Sequence, residues 1–166
     1  PALIPDDRET IASLLKKAGY STAFIGKWHL GWNWVMDEEE NIDFSSEINH
    51  DPNDLGFDYY YGHVASLDIP PYVYVENGMP TAIPVDCTEN KDYQGFWRKG
   101  FTSPDFVHEE VTPNFFNRSM EYIKEKANQE NPFFLYLALP SPHTPILPTR
   151  QWQGESGLNP YGDFVM

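Results

Sequence analysis

The chain has 166 residues, with 25 acidic against 11 basic side chains and a formal net charge of −14 at pH 7. It is 40% hydrophobic and 16% aromatic, which suits a globular domain or a piece of a larger one and not a disordered acidic tail. The lone Cys87 excludes an internal disulfide framework, no apolar run approaches the ~20 residues of a membrane helix, and no basic patch offers to replace the counterions of a nucleic acid.

Asp6 to Ala18 reads as a helix, with Asp6 as cap, Glu9 three residues on, and Ile11, Leu14, Leu15 and Ala18 as one apolar stripe. Gly19 suits its end. Tyr20 to Ile25 is short and β-prone and is followed by Gly26, so helix, turn and strand form an αβ unit of a layered α/β domain. Residues 32–113 show no sustained period. They hold 7 of the 15 prolines, most of the tyrosines, and 17 acids against 3 bases, so the whole charge imbalance lies there. Two readings of this irregular, aromatic-rich excursion stand side by side: a functional loop system or a mobile acidic surface. Phe115, Phe116, Ser119, Met120, Ile123 and Ala127 then take helical spacing. Phe133 to Leu139 is a nearly continuous apolar run, the pattern of a strand covered on both faces in a parallel sheet. The loop Pro140-Ser141-Pro142-His143-Thr144-Pro145 leaves the carboxyl end of that strand, where open α/β sheets place ligands. Tyr161 to Met166 reads as the first turn of another helix.

Gly26-Lys27-Trp28-His29-Leu30-Gly31 is the densest chemical cluster. If the strand continues through it, Lys27 and His29 share one face, and a cation beside an imidazole suits an anion and a proton transfer. The plainer alternative is a surface lysine and a satisfied histidine. A phosphate-binding P-loop is excluded, because Trp28 stands where Ser or Thr would meet magnesium. His50, His63 and His108 have no ligand spacing with Cys87, so a zinc site is not expected. Asn117-Arg118-Ser119 is a glycosylation triplet placed on an expected helix.

Thr10-Ile11-Ala12 through Leu15-Lys16, Gly19-Tyr20-Ser21-Thr22 and Gly26 to Gly31 closely resemble the second signature of the sulfatases. Gly56-Phe57-Asp58-Tyr59-Tyr60-Tyr61-Gly62, then Pro132 to Tyr136 with Ser141 to Pro145, then Tyr161-Gly162-Asp163, resemble later landmarks of that family in the same order. The resemblance implies an alkaline-phosphatase-like α/β fold with a mainly parallel central sheet. Residues 1–166 are then a partial catalytic domain, with 32–113 an irregular segment within it. It also implies hydrolysis of a sulfate ester by a formylglycine nucleophile with calcium, and a periplasmic, secreted or lysosomal location. Carried over by motif, Lys27 would bind sulfate and nucleophile, His29 would hydrogen-bond the formylglycine hydrate, and His143 would serve the leaving oxygen. Ser66 to Tyr74 resembles a segment of carbohydrate-acting sulfatases, with Asp68 on a sugar hydroxyl and Tyr72 offering an aromatic face.

Cys87 departs from the family pattern, since Thr88-Glu89-Asn90-Lys91 lacks the Pro and Arg of the modification motif. The resemblance implies calcium held by two early acids, and Asp6-Asp7, just ahead of the helix, has the wrong context for that pair. The start at Pro1, without Met, is consistent with a chain cut from something longer. The expected protein is thus an internal fragment of a sulfuric ester hydrolase that acts on a sulfated carbohydrate. On its own it would lack nucleophile and metal and would tend to self-associate through unpaired strands. The alternatives are a phosphodiesterase or phosphonate hydrolase of the same superfamily, or a non-catalytic carbohydrate-binding module.

Overall fold

The computed structural model describes residues 1–166. The first helix, α1 (Ile11–Lys17), starts later than the sequence pattern implies and is capped by Thr10, not Asp6. Ser13 N donates to Thr10 Oγ1 (3.0 Å) and Thr10 N donates to Ser13 Oγ (2.9 Å), a reciprocal capping box that satisfies two otherwise orphaned donors. Asp6 is instead drawn outward to the His50 ring. Of the apolar stripe, Ile11 and Leu14 remain more than half exposed, while the neighbouring Ala12 is fully buried.

After Gly19, whose φ of 86° turns the chain, β1 (Ser21–Lys27) enters the centre of the molecule. It pairs in parallel with β2 (Tyr59–His63) on one side and β7 (Phe133–Ala138) on the other. Two short strands, β3 (Val75–Glu76) and β4 (Met79–Pro80), extend the sheet antiparallel beyond β2, giving the order β4-β3-β2-β1-β7. A separate antiparallel pair, β5 (Asp86–Asn90) and β6 (Trp97–Thr102), lies beside it. The stretch 32–113 is therefore not irregular throughout. It contains five strands, each of 2 to 6 residues, too short to establish a period.

Strand alternation sorts the core into two layers. Ala23 and Ile25 face α2 (Val111–Lys126) and pack with Tyr61, Phe115 and Tyr122. Phe24 faces α1 and packs with Ala12, Phe57, Tyr60 and Trp28. The last element, α3 (Pro160–Val165), is capped by the Asn159 side chain, which accepts from Gly162 N (2.9 Å). Phe133–Leu139 has the apolarity of a strand built to be covered on both faces, and, as expected of unpaired strands in a piece of a larger sheet, it is only partly covered here. β7 is the sheet edge, and Tyr136 on it is 52% exposed, because its outer neighbour and one of its faces have no partner in this chain.

The parallel register places Gly26 level with Gly62 and Ala138. A Cβ at Gly26, whose φ is 134°, would lie 2.0 Å from the Ala138 carbonyl oxygen, and one at Gly62 would lie 1.9 Å from the Gly26 oxygen. Gly26→Ala is therefore expected to lower unfolding stability by more than about 2 kcal/mol, since both backbone strain and a backbone clash must be relieved. Denaturant unfolding of the variant checks this, and a wild-type midpoint would contradict the close approach.

Candidate active site

Lys27 ends β1 opposite His63, one residue beyond the glycine row. The strand does not continue to His29, so the expected alternation of Lys27 and His29 on one strand face is replaced by a turn. Trp28 N donates to His63 O (3.0 Å) and His29 N to Val64 O (2.9 Å), after which His29 takes φ 59°. Trp28 swings into the core and its Nε1 closes the turn on Gly31 O (2.9 Å), which leaves His29 exposed.

The segment after β2 gathers the other candidates. Ser66 Oγ lies 3.3 Å from His29 Nδ1, and two residues on, Asp68 Oδ1 lies 3.9 Å from His143 Nδ1. Ser66-Leu67-Asp68, in a turn closed by Ile69 N donating to Ser66 O (2.9 Å), thus touches both histidines. His143 sits in the loop after β7, where its backbone N donates to Pro140 O (3.1 Å). Its Nδ1 is 2.7 Å from the Thr144 carbonyl, which can only accept. Nδ1 therefore carries the hydrogen, and Nε2 is the outward nitrogen. The Lys27 ammonium makes no ion pair or hydrogen bond within the protein.

Asp68 is largely buried, and its Oδ2 accepts from Arg98 Nη1 (2.9 Å), while Oδ1 is buried without a hydrogen-bond partner. The reading of Tyr72 as an open aromatic face is corrected. It is 1% exposed, its ring lies 4.5 Å from the His108 ring, and its hydroxyl donates to Arg98 O (2.6 Å). Burial, with the nearby Asp68 carboxylate, pushes that hydroxyl's pKa up, so it remains a donor.

Sequence reasoning did not single out Arg98, which lay in the stretch without a period, and gave His63 and His108 no role beyond excluding zinc. His63 stacks on Phe115 (5.6 Å) and His108 on Trp97 (4.0 Å). Burial, and then the Lys27 ammonium, push His63 down to about 3 from an ordinary 6.5. Burial pushes His108 down to about 4.

The side chains present do not fit the calcium or the formylglycine that the family resemblance implies. No three His, Cys, Asp or Glu side chains converge as metal ligands. Cys87 lies exposed on β5, in a sequence without the Pro and Arg of the modification motif.

Residues 2–165 match the family model described as Sulfatase. This chain belongs to the sulfatase family. It is 29% identical over 191 residues to an N-acetylgalactosamine-6-O-sulfatase of Bacteroides thetaiotaomicron, an alignment covering 95% of this chain and 36% of that protein. It is also 29% identical to the human N-acetylgalactosamine-6-sulfatase, with 98% of this chain and 27% of that protein covered. A Bacteroides thetaiotaomicron structure described by its place in the metabolism of multiple glycosaminoglycans superposes at a TM-score of 0.81 with 27% identity, over 99% of this chain and 40% of the other. A Pseudoalteromonas sulfatase superposes at 0.59 with 19% identity, over 92% of this chain and 30% of the other, a likeness of fold. The chain thus spans about a third of the length of the sulfatases it matches, and the mainly parallel layered sheet is the sulfatase fold.

The two buried histidines of this sulfatase chain set a pH dependence. Unfolded, each takes up a proton below about 6.5; folded, they resist until about 3 and about 4. The unfolded state therefore binds more protons in this window, and folding stability is expected to fall as pH drops from about 6.5 towards 4. His63→Phe, which removes one of the two titrations, is expected to lessen that slope by up to about 1.4 kcal/mol per pH unit. Denaturant midpoints across this range check it, and an unchanged slope would show that His63 is not held neutral.

Proposed function

We propose that this chain forms one wall of the active site of a sulfuric ester hydrolase acting on a sulfated carbohydrate. What supports the reading is that Lys27, His29 and His143 lie at or just beyond the carboxyl ends of adjacent parallel strands, with Ser66 beside His29 and Asp68 beside His143. The relatives named as N-acetylgalactosamine-6-sulfatases make a 6-sulfated N-acetylgalactosamine within a glycan the first substrate to test.

In this reading Lys27 binds a sulfate oxygen and stabilises the charge that develops there as the ester bond breaks. His143, with Nδ1 committed to Thr144, presents Nε2 to the leaving sugar oxygen and gives it a proton when the ring is doubly protonated. His29, with Nδ1 towards Ser66, presents its other nitrogen to the same space. In this reading calcium and formylglycine would be supplied by residues outside these 166. A secreted, periplasmic or lysosomal setting is part of the same proposal and rests on family resemblance alone.

In a polypeptide of family length carrying this chain, Lys27→Ala is expected to reduce turnover of a 6-sulfated N-acetylgalactosamine by about 10²-fold or more. A near-wild-type rate would remove Lys27 from the site. The 166-residue chain alone is expected not to hydrolyse sulfate esters, and turnover that Lys27→Ala abolishes in it would contradict the division of the site proposed here.

Assembly follows from the same reading. The unpaired edge of β7 borders an open apolar groove of about 730 Å³, lined by Phe24, Trp28, Phe134, Tyr136 and Leu139 among others. An unpaired strand edge beside bare apolar surface invites pairing. The isolated chain is therefore expected to sediment as dimers or larger species at micromolar concentration, and a compact, cooperatively unfolding monomer would overturn that expectation.

A further inference from the structure

We propose that Arg98 determines specificity at this site by binding a second oxyanion of the substrate, a carboxylate or a further sulfate group, and that Asp68 is the positioning residue that aims it. The inference rests on the function proposed above and names a feature of the substrate that the proposed hydrolysis does not itself require.

The geometry of Arg98 is that of a held group. Its Nη1 donates to Asp68 Oδ2 (2.9 Å) and to Asp68 O (3.2 Å), its backbone N donates to Asp68 O (3.2 Å), and its backbone O accepts from the Tyr72 hydroxyl (2.6 Å). Two residues on, Gly100 lies so close to Pro70 that a Cβ would come within 2.1 Å of the proline side chain, so β6 is pressed against the segment that carries Asp68. Backbone pairing across Tyr72 tightens the same seam, with Tyr72 N donating to Phe101 O (2.8 Å) and Ser103 N to Tyr72 O (3.0 Å). The Arg98 side chain is nonetheless 54% exposed, against 12% for Asp68. A burial-costly carboxylate is matched by one nitrogen of the guanidinium, and the remaining edge of that planar fork faces outward, the shape that pairs with a carboxylate or sulfate.

Asp68 also lies between Arg98 and the reacting end of the site. One carboxylate oxygen holds Arg98 and the other lies 3.9 Å from His143 Nδ1. The His143 loop is in turn fastened to the β5–β6 turn, with Ile146 N donating to Gln94 O (2.6 Å). The distance from the outward guanidinium edge to the outward imidazole nitrogen is therefore set by the protein, and it sets a spacing between an anionic group and the leaving oxygen of a ligand. A polyanion approaching a chain of net charge −14 is repelled by most of its surface. Residues 32–113 hold only Lys91, Arg98 and Lys99 as bases. Lys91 pairs with Glu89, and Arg98 is the one of the three tied to Asp68 beside His143.

The test uses the family-length protein and matched sulfated disaccharides. One carries a carboxylate on the neighbouring sugar, a second has that carboxylate reduced to an alcohol, and a third replaces it with a second sulfate group. Arg98→Ala is expected to raise KM on a two-anion substrate by about ten-fold more than on the one-anion substrate. Arg98→Lys, which keeps the charge and loses the fork, is expected to restore part of that ratio. Asp68→Asn is expected to reduce the ratio while leaving Arg98 in place. The carboxylate and the second sulfate are told apart by which of the two substrates loses more. Equal KM changes on all three substrates, or no change on any, overturn the role of Arg98. A wild-type protein that turns over none of them overturns the proposed hydrolysis, and this inference with it.

Discussion

Between β1 and its two parallel neighbours there is no room for a side chain at Gly26, and that close approach sets the position of everything beyond it. Gly26 stands level with Gly62 and Ala138, and a Cβ at either glycine would come within 2.0 Å of a neighbouring carbonyl oxygen. Three strands are thereby drawn together just before they end. The next residues on each, Lys27 on β1, His63 on β2 and the loop to His143 after β7, leave the sheet at one edge. Parallel sheets put ligands at such carboxyl ends because the loops there diverge and leave a crevice. In this chain the row of Gly26, Gly62 and Ala138 leaves no room for larger side chains at that level, and Lys27 and His63 follow directly after it.

The electrostatics follow from that packing. In a chain of net charge −14, a site for an oxyanion has to be made from a few well-placed cations. Lys27 emerges beside His63, and the buried imidazole is kept neutral, so the cation there is the ammonium and not the ring. Arg98 is the other cation beside the site, half exposed, and the buried Asp68 carboxylate holds it between two backbone hydrogen bonds. Asp68 gives one carboxylate oxygen to Arg98, and Tyr72 spends its hydroxyl on the Arg98 carbonyl and buries its ring.

Much of the frame was legible in the amino-acid sequence. The helix–glycine–strand unit at Ile11–Lys27, the long helix Val111–Lys126 and the apolar strand Phe133–Ala138 all announced themselves by period or by continuous apolarity. The helix start was misread because Asp6 and Thr10 both suit a cap, and only the Ser13 side chain, reaching back to Thr10 N, decides between them. The strands of residues 59–102 were hidden because two to six residues cannot display a period, and because the neighbouring Tyr60 and Tyr61 are both buried, one on each face. Lys27, His29 and His143 were singled out by family resemblance and loop position, and each lies at or just beyond the carboxyl end of a strand. Arg98 was not, since its meaning lies in a contact with Asp68 thirty residues away that no local pattern records.

The claim on which the account turns is that Lys27 and His143, brought out by separate strands, serve one oxyanion. A crystal structure of the family-length protein with a non-hydrolysable sulfamate analogue of a 6-sulfated sugar measures this directly. The account predicts Lys27 Nζ and His143 Nε2 each at hydrogen-bond distance, about 2.7–3.2 Å, from the same sulfamate group. A sulfamate held elsewhere, with the two side chains more than about 12 Å apart on the scale of three to four extended residues, would contradict it.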